Sequence, residues 1–553
     1  MRRLLLSPAI VIALLAIIPL PVRAQSAGTL PDSTTQSIDK IFARFDRPDS
    51  PGCAVGVGRD GRSVYERGYG SANLEYGVPI TPATIFESGS VAKQFTASAI
   101  VLLAQDGKLG LDDDVRKYIP EVPNFGETIR IRHLLNHTSG LRDQWGLLGI
   151  EGRGPGSQVH SPATTLDLVR HQKQLNFPPG TQYLYSNTGF TLLGIIVQRV
   201  SGQSLDEFTQ ARLFRPLGMT STQWRDDFTE IVKGRATAYS GTAQSGFKMD
   251  MPFTNMIGNG GLLTTVGDLL KWNENLQNPT VGGAAYVDSM QTRARLRNGR
   301  TISYALGIEV DAYNGVREVS HGGSTAGYRT FLARYPEQRV SVAVLCNLAS
   351  ANAGGLAHQV ADVFLPKQVA AAQSGSGAGV TLSQSQLERW AGRYVDPGTD
   401  RSLNLLVRDG ALVNEQARVP SIALAPDRFR VASGNEFVFA GPPGRRTMKM
   451  ITPTGDTTLL VEKAPFPSTL PLNAYVGTYS SDELDVQLEV ALKDGKLVLR
   501  RRPADELAMR PTYADDFDTD AGSLRFTRDK SGKVSGFSIY AGRVLDVRFH
   551  RAR

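Results

Sequence analysis

A serine followed three residues later by a lysine, in the tetrapeptide SVAK at residues 90–93, opens a strongly apolar segment of this chain. The apolar residues after it recur at helical spacing until residues 106–107 (DG), which predict a helix end. On a helix, side chains three residues apart share one face, with Cβ atoms about 5–6 Å apart. We therefore expect Lys93 to reach the Ser90 hydroxyl. Because a serine hydroxyl is a weak nucleophile until a neighbour takes its proton, the pair predicts nucleophilic catalysis.

The S-x-x-K pattern occurs three times, starting at Ser37, Ser90 and Ser245. Ser37 lies in a polar stretch that leads into the first predicted helix, and Ser245 lies in a Gly/Ser-rich loop. Only Ser90 stands at the start of an apolar helix, directly after a turn-rich segment. A helix N-terminus also supplies free N–H groups and a partial positive charge beside the nucleophile. Ser90 is therefore the candidate nucleophile.

Two further elements occur once each in the chain. The only Y-x-N, at residues 185–187, follows a Pro-Pro-Gly turn and precedes a helix predicted for residues 188–200. The only H-x-G, at residues 321–323, stands before a strand predicted for residues 328–333. No G-x-S-x-G occurs, which disfavours an α/β-hydrolase.

In this order the three elements resemble the S-x-x-K, Y-x-N and K-T-G or H-x-G elements of the serine β-lactamase and penicillin-binding protein superfamily. The likeness is to its class C-like, peptidase S12 branch, and it covers roughly residues 30–366. Four other stretches strengthen it: residues 51–55, 133–141, 260–262 and 268–272.

The resemblance implies the chemistry of the first two elements. Ser90 would attack a carbonyl and form an acyl-enzyme, while Lys93 and Tyr185 would share the proton transfers. A neighbouring ammonium would lower the pKa of Tyr185, yet coupled groups do not titrate independently. Which of the two side chains is the base therefore stays open.

The resemblance also implies how the substrate is held. Asn187 would orient the substrate amide or Lys93, and His321 would border the substrate. The backbone N–H groups of Ser90 and Ser324 would form an oxyanion hole. Gly323 and its glycine neighbour would let this strand edge come close to the nucleophile.

The function favoured is an exported serine peptidase or amidase that acts on small peptides, including peptides with D-residues. A β-lactamase is an alternative, but its third element is normally K-T-G, whose lysine holds the substrate carboxylate. His321 is largely neutral above a pKa of about 6.5, so a permanent cation is missing from this motif. That change favours a peptidase or carboxylesterase. A non-catalytic penicillin or peptidoglycan sensor would be expected to have lost Lys93 or Tyr185, and both are present.

The pattern of predicted elements indicates an α+β domain over residues 25–366. A hairpin is predicted at residues 52–69, mostly helices at 90–275, strands again at 303–347 and a closing helix at 354–365. This order suggests an antiparallel sheet with an inserted helical lobe. The resemblance implies the same β-lactamase/transpeptidase-like architecture, with the first and last strands of the sheet as neighbours.

An Ala/Gly/Ser-rich linker is predicted at residues 367–382, and a repeat follows it. The segment WAGRY at 390–394 matches YVGTY at 475–479, and the Asp-Gly pair at 409 matches that at 494. Both matches have the same offset of 85 residues, which indicates two duplicated all-β, barrel-like modules, at 383–467 and 468–553. They resemble the lipocalin-like barrels of D-aminopeptidases, in which a loop narrows the cleft; a purely stabilising or docking role is the alternative.

Residues 1–24 have the charged start, apolar core and small-residue cleavage site of a signal peptide, with cleavage predicted after Ala24. An uncleaved anchor is the alternative, and no later segment is apolar enough to span a bilayer. Cleavage removes three arginines and no acid, which lowers the formal charge from +8 to +5. The largest basic cluster is short, so we expect a periplasmic or secreted protein with a small peptide, amide or ester substrate and no nucleic-acid partner.

Only two cysteines occur, Cys53 and Cys346, and no His/Cys cluster has metal-ligand spacing. We therefore expect no metal and no cofactor. His133 and His137 are interpreted as packing or hydrogen-bonding residues. Export allows the cysteines to form a disulfide, whereas the frequent burial of free cysteine favours two buried thiols. The sequence does not predict an oligomeric state.

Overall fold

The computed structural model describes residues 30–366, 379–399, 402–415, 420–431, 434–452, 457–464, 471–501 and 505–552. The predicted signal peptide, the linker up to residue 378 and the boundary predicted at 467/468 lie outside these residues. Three parts are named below: the N-terminal domain (30–366), the first β module (379–464) and the second β module (471–552). Within the described ranges, no helix has the length and apolar character needed to cross a membrane.

The helices are concentrated in the N-terminal domain. In chain order they are α1 Asp32–Phe42, α2 Lys93–Gln105, α3 Ile131–Leu135, α4 Gln144–Glu151, α5 Pro162–His171, α6 Asn187–Ser201, α7 Leu205–Thr209, α8 Val266–Gln277, α9 Gly283–Gln291, α10 Ala353–Ala361 and, in the first β module, α11 Gln384–Glu388.

The strands of the N-terminal domain are β1 Cys53–Arg59, β2 Arg62–Tyr69, β3 Ser71–Asn73, β4 Val78–Pro79, β5 Phe86–Glu87, β6 Gln223–Trp224, β7 Tyr239–Thr242, β8 Gly246–Met249, β9 Leu262–Thr264, β10 Glu309–Tyr313, β11 Val316–Thr325, β12 Tyr328–Tyr335 and β13 Val340–Cys346. Those of the first β module are β14 Gly392–Val395, β15 Ser402–Arg408, β16 Ala411–Asn414, β17 Ile422–Ala425, β18 Arg428–Arg430, β19 Glu436–Ala440, β20 Thr447–Ile451 and β21 Thr457–Lys463. Those of the second are β22 Gly477–Ser481, β23 Val486–Lys493, β24 Lys496–Arg501, β25 Asp505–Ala508, β26 Arg510–Tyr513, β27 Asp516–Thr519, β28 Gly522–Arg528, β29 Val534–Ala541 and β30 Val544–Arg551.

Six antiparallel strands form the main sheet of the N-terminal domain, in the order β10-β11-β12-β13-β1-β2. Strands β1 and β13 are buried on both faces because α1 and α10 cover one face while α8 and the helical lobe cover the other. The first and last strands are neighbours. The predicted α+β fold, an antiparallel sheet with an inserted helical lobe, is therefore confirmed.

Helix α2 runs through the centre of the helical lobe, and its residues 93–103 are all buried. It packs against α6, α7 and α9, as expected of a helix that is apolar on every side. The α-helix begins at Lys93, not at Ser90 as predicted, because residues 89–92 form a 3₁₀ turn. Such turns are frequent at helix N-termini, and this one still brings Ser90 and Lys93 together.

Cys53 and Cys346 lie directly opposite each other on β1 and β13, and they form a disulfide. The preference for two buried thiols was therefore wrong. Both side chains are fully buried, as that argument required. The register of the two strands, which sequence patterns do not specify, brings the sulfur atoms into contact.

The two β modules are nearly closed antiparallel sheets of eight and nine strands. The repeat is visible in their hydrogen bonds: the Tyr394 hydroxyl donates to the Trp390 carbonyl, and the Tyr479 hydroxyl donates to the Tyr475 carbonyl. The Asp-Gly turns at 409 and 494 also share a positive φ at the aspartate. The predicted duplication thus corresponds to the same local structure in both modules.

The second β module packs on the helical lobe. Leu147, Leu148 and Ile150 of α4 belong to the same buried cluster as the interior of this module. Beside them, the fully buried Arg142 forms an ion pair with Glu483. Its guanidinium also donates to the Leu545 carbonyl at 2.9 and 3.1 Å. The contact therefore combines apolar packing with a buried charge pair.

The disulfide closes a loop over a sequence separation of 293 residues. Replacing both cysteines by alanine should lower the free energy of unfolding by about 2–5 kcal/mol, because the crosslink restricts the unfolded chain. Denaturant unfolding of the two proteins measures this difference. In parallel, thiol titration of the unfolded, unreduced wild type should find no free thiol, and two titratable thiols would contradict the disulfide.

Arg142→Ala should destabilise the docked second β module by about 3–5 kcal/mol, because it leaves the Glu483 carboxylate buried without its cation. Calorimetry of the full chain measures the loss. Arg510→Ala is the matched control: it breaks an exposed pair with Asp520, which should contribute at most about 1 kcal/mol. Equal effects of the two substitutions would show that the buried pair does not hold the module.

Candidate active site

An open cleft of about 850 Å³ lies between the main sheet and the helical lobe. It is lined by every predicted site residue except Lys93, namely Ser90, Tyr185, Asn187, His321, Gly323 and Ser324. Lys93 is fully buried directly beneath Ser90. The structure therefore brings all of the predicted residues together at one place.

Two glycines let β11 approach the turn that carries Ser90. Gly89 has a φ of +53°, and a Cβ there would lie 2.6 Å from the Ser324 backbone nitrogen. A Cβ on Gly323 would lie 2.0 Å from the Ser88 carbonyl oxygen. Neither position tolerates a side chain, so the Ser324 backbone is held beside the nucleophile.

The Lys93 amine has three polar neighbours. It donates to the Asn187 side-chain oxygen at 3.0 Å and to the Asn259 backbone oxygen at 2.5 Å, and it lies 3.1 Å from Ser90 Oγ. Burial lowers its pKa well below the usual value, with Asp143 acting in the opposite direction. A neutral amine has two N–H donors and one lone pair. In that form both donors are used by the asparagines, and the lone pair can accept the Ser90 proton.

Tyr185 borders Ser90 from the other side. Its hydroxyl is buried and, over the described part of the chain, makes no well-aligned hydrogen bond, although it faces Ser90. Burial raises its pKa above the ordinary value, against the opposing effects of Ser90 and Arg543. The expected lowering by a lysine ammonium was wrong, because desolvation dominates and the Lys93 pKa is itself lowered. Tyr185 is thus a protonated phenol that can donate to a substrate.

Asp143 fixes the orientation of Asn187, and sequence reasoning missed it. Its carboxylate accepts from the Asn187 backbone at 2.6 Å and from the Asn187 side-chain nitrogen at 2.8 Å. The side-chain oxygen of Asn187 is therefore left to face Lys93. Asp143 also caps α4 by accepting from the Trp145 N–H. An N-cap aspartate before a helix was the one signal available in the sequence.

His321 has both ring nitrogens occupied. Nδ1 lies 2.6 Å from the Gly322 carbonyl, which can only accept, so Nδ1 carries the proton. Nε2 then accepts from the hydroxyl of buried Tyr304 at 2.8 Å. Burial, followed by Lys93, lowers the His321 pKa to about 4. His321 therefore forms a neutral wall of the cleft, oriented by a tyrosine that sequence reasoning missed.

The second β module contributes Arg543 to the cleft lining. Its guanidinium carbon lies 4.5 Å from the centre of the Tyr185 ring. The cleft thus contains a fixed cation even though the third motif has histidine in place of lysine. The third motif itself lacks a cation, and this charge comes from a module more than 200 residues away along the chain.

The remaining candidates have other roles. His137 accepts from the Ser186 backbone N–H, and its ring lies 4.0 Å from that of Tyr185; His133 accepts from the Arg130 N–H. Both histidines therefore make the hydrogen bonds that were predicted. The serines of the other two S-x-x-K patterns, Ser37 in α1 and Ser245 in the β7–β8 turn, bond locally and lie outside the cleft lining.

Comparisons with known proteins agree with this geometry. Residues 38–365 match the family model described as Beta-lactamase, and residues 461–552 match a domain of unknown function, DUF3471. A D-aminopeptidase of Brucella anthropi is 26% identical over 91% of this chain and 96% of its own length.

Among solved structures, the octameric penicillin-binding protein homologue from Pyrococcus abyssi is similar, with a TM-score of 0.55 and 26% identity over 78% of this chain and 99% of its own. The D-amino acid amidase from Ochrobactrum anthropi has a TM-score of 0.51 and 21% identity over 60% of this chain and 98% of its own. The second likeness shows the fold alone.

Lys93→Met removes an amine whose pKa is far lower in the folded chain than the ordinary 10.5. Between the folded and unfolded pKa values, the unfolded state binds a proton that the folded state does not. The wild type should therefore gain stability relative to Lys93→Met as the pH rises toward 10.5. Unfolding free energies from about pH 7 to about pH 10 measure this slope.

The matched control is Lys117→Met, because Lys117 is exposed and pairs with Asp113, which raises its pKa. That variant should show no such relative gain for the wild type. A constant difference between wild type and Lys93→Met over the whole range would mean that the buried amine keeps an ordinary pKa.

Proposed function

The chain belongs to the β-lactamase family and is a serine hydrolase, and we propose that it cleaves amide bonds in small peptides, including peptides with D-residues. The observation that carries this proposal is the buried Lys93 amine, whose pKa is lowered by burial, 3.1 Å from Ser90 Oγ at the floor of an open cleft. The similarity to a D-aminopeptidase over nearly the whole chain supports the amide substrate.

In the acylation step, Ser90 Oγ attacks the carbonyl carbon and its proton passes to Lys93. The backbone N–H groups of Ser90 and Ser324 stabilise the negative charge on the carbonyl oxygen. Tyr185, as a protonated phenol, gives its proton to the leaving nitrogen as the C–N bond breaks, and it regains one from Lys93. Proton transfer by positioned groups of this kind contributes typically 10²–10⁴-fold.

In the deacylation step, water attacks the acyl carbon of the acyl-enzyme ester and gives a proton to Lys93. The bond between Ser90 Oγ and the acyl carbon then breaks, and Lys93 returns this proton to Ser90 Oγ. Asn187 holds the amine in place throughout, because Asp143 fixes the asparagine on the side away from Lys93.

We also propose that the protein is exported to the periplasm or secreted. The N-terminal pattern of residues 1–24 supports this, and so does the buried disulfide between Cys53 and Cys346. Disulfides persist in oxidising compartments and are rare in the cytosol.

Ser90→Ala should abolish turnover of D-aminoacyl amides and peptides without loss of structure, because it removes a single hydroxyl at the cleft floor. A fluorophosphonate probe should label the wild type at Ser90, as read by peptide mass mapping. Ser245→Ala, which changes the serine of another S-x-x-K pattern, is the matched control and should keep both activity and labelling. Labelling of Ser245 with Ser90 unmodified would overturn the assignment.

A further inference from the structure

Arg543 is the one residue of the second β module in the lining of the cleft, over the residues that the structure describes. It occupies the two-residue turn between β29 and β30, where Ala541 pairs with Val544. Gly542 precedes it with a φ of +59°, which the first position of such a turn requires. The turn therefore aims the arginine outward from the module.

The backbone of this turn is held by the N-terminal domain. The Asn176 side chain donates to the Arg543 carbonyl at 3.0 Å and accepts from the Leu545 N–H at 2.9 Å. Val544 packs against Gly146 of α4, where a Cβ would lie 2.5 Å from the valine methyl. The position of the arginine is thus set by the docking of the two domains.

The guanidinium of Arg543 has no carboxylate within ion-pairing distance among the described residues, whereas Arg501, Arg528 and Arg548 of the same module each pair with an aspartate. Arg329, the other arginine in the cleft lining, donates to two backbone carbonyls. The Arg543 guanidinium lies over the face of Tyr185, and its side chain lines the cleft. It is therefore available to bind an anion.

The position of Tyr185 indicates which part of the substrate lies beside the Arg543 guanidinium. In the proposed mechanism Tyr185 protonates the leaving nitrogen, so the leaving residue lies against the tyrosine. In a peptide, the carboxylate carbon of that residue is two bonds, about 2.5 Å, from the scissile nitrogen. A guanidinium over the same ring is within reach of this carboxylate and can bind it through two parallel hydrogen bonds.

We propose that Arg543 is a specificity-determining residue that binds the free carboxylate of the leaving residue, so that the enzyme prefers peptides with a C-terminal carboxylate to aminoacyl amides. This inference rests on the proposed amide hydrolysis at Ser90. Arg543 takes the place of the lysine that the third motif lacks, and it does so from another module. Asp250 and Glu309 also line the cleft, and neither forms an ion pair among the described residues, so these carboxylates would instead attract an ammonium. The test must therefore separate recognition of a carboxylate from recognition of an ammonium.

The test uses two substrates with the same scissile bond, N-acetyl-D-alanyl-D-alanine and its C-terminal amide, together with D-alanine amide as a cationic substrate. The wild type should cleave the carboxylate form with a kcat/KM at least tenfold higher than the amide form. Arg543→Gln should lower this ratio by tenfold or more, and Arg543→Lys should retain part of it. Arg510→Gln is the matched control, since it removes an exposed cation of the same module outside the cleft, and it should leave the ratio unchanged.

Three outcomes would overturn the inference while the proposed hydrolysis stands. If Arg543→Gln lowers kcat/KM equally for both peptides, the arginine acts through Lys93 or Tyr185 and not on the carboxylate. If the wild type favours the amide or D-alanine amide, the carboxylates of the cleft dominate recognition. If the wild type cleaves the peptides without preference, the carboxylate site is wrong although the proposed hydrolysis stands. A wild type that cleaves none of the three substrates contradicts the proposed function, and the inference with it.

Discussion

The Lys93 amine is buried, and burial disfavours its charged form and lowers its pKa. The geometry of the groups around Ser90 depends on this effect. A buried amine needs hydrogen-bonding partners, and Asn187 and Asn259 provide an oxygen each. Those contacts leave a lone pair for the Ser90 proton. The same burial raises the Tyr185 pKa, so one physical effect favours both a neutral amine and a protonated phenol beside Ser90. The tight glycine contacts hold β11 against the turn that carries Ser90.

Two consecutive residues connect the catalytic geometry to the second β module. Asp143 orients Asn187, and Arg142 forms the buried ion pair with Glu483 that anchors the module. The Asp143 N–H also faces the Arg543 carbonyl at 3.4 Å. The segment that positions Asn187 is therefore also the segment that holds the second β module. The candidate site and the docked module are connected here through covalent neighbours.

Features encoded in short segments could be predicted from the sequence: the S-x-x-K pair, the Y-x-N and H-x-G elements, the α+β order of elements and the 85-residue repeat. Each depends on local spacing. The disulfide, the role of Asp143 and the contact of Tyr304 with His321 depend on register and packing between distant segments. The direction of the Tyr185 pKa shift required the extent of burial, which no motif contains. The position of Arg543 in the cleft could not be predicted, because it results from the docking of the second β module on the N-terminal domain.

The apolar contact between the N-terminal domain and the second β module means that the module cannot be removed without other effects. Leu147, Leu148, Ile150 and Leu168 of the N-terminal domain are buried in the same cluster as the interior of that module. Removing the module would expose them, and each buried leucine or isoleucine side chain contributes about 1.5–3 kcal/mol. A truncated chain would therefore lose stability and cleft shape together. A substitution at the exposed tip of the β29–β30 turn changes the charge in the cleft while the buried contact stays intact. The proposed recognition by the module and its stabilising contact are thus separable at a single side chain.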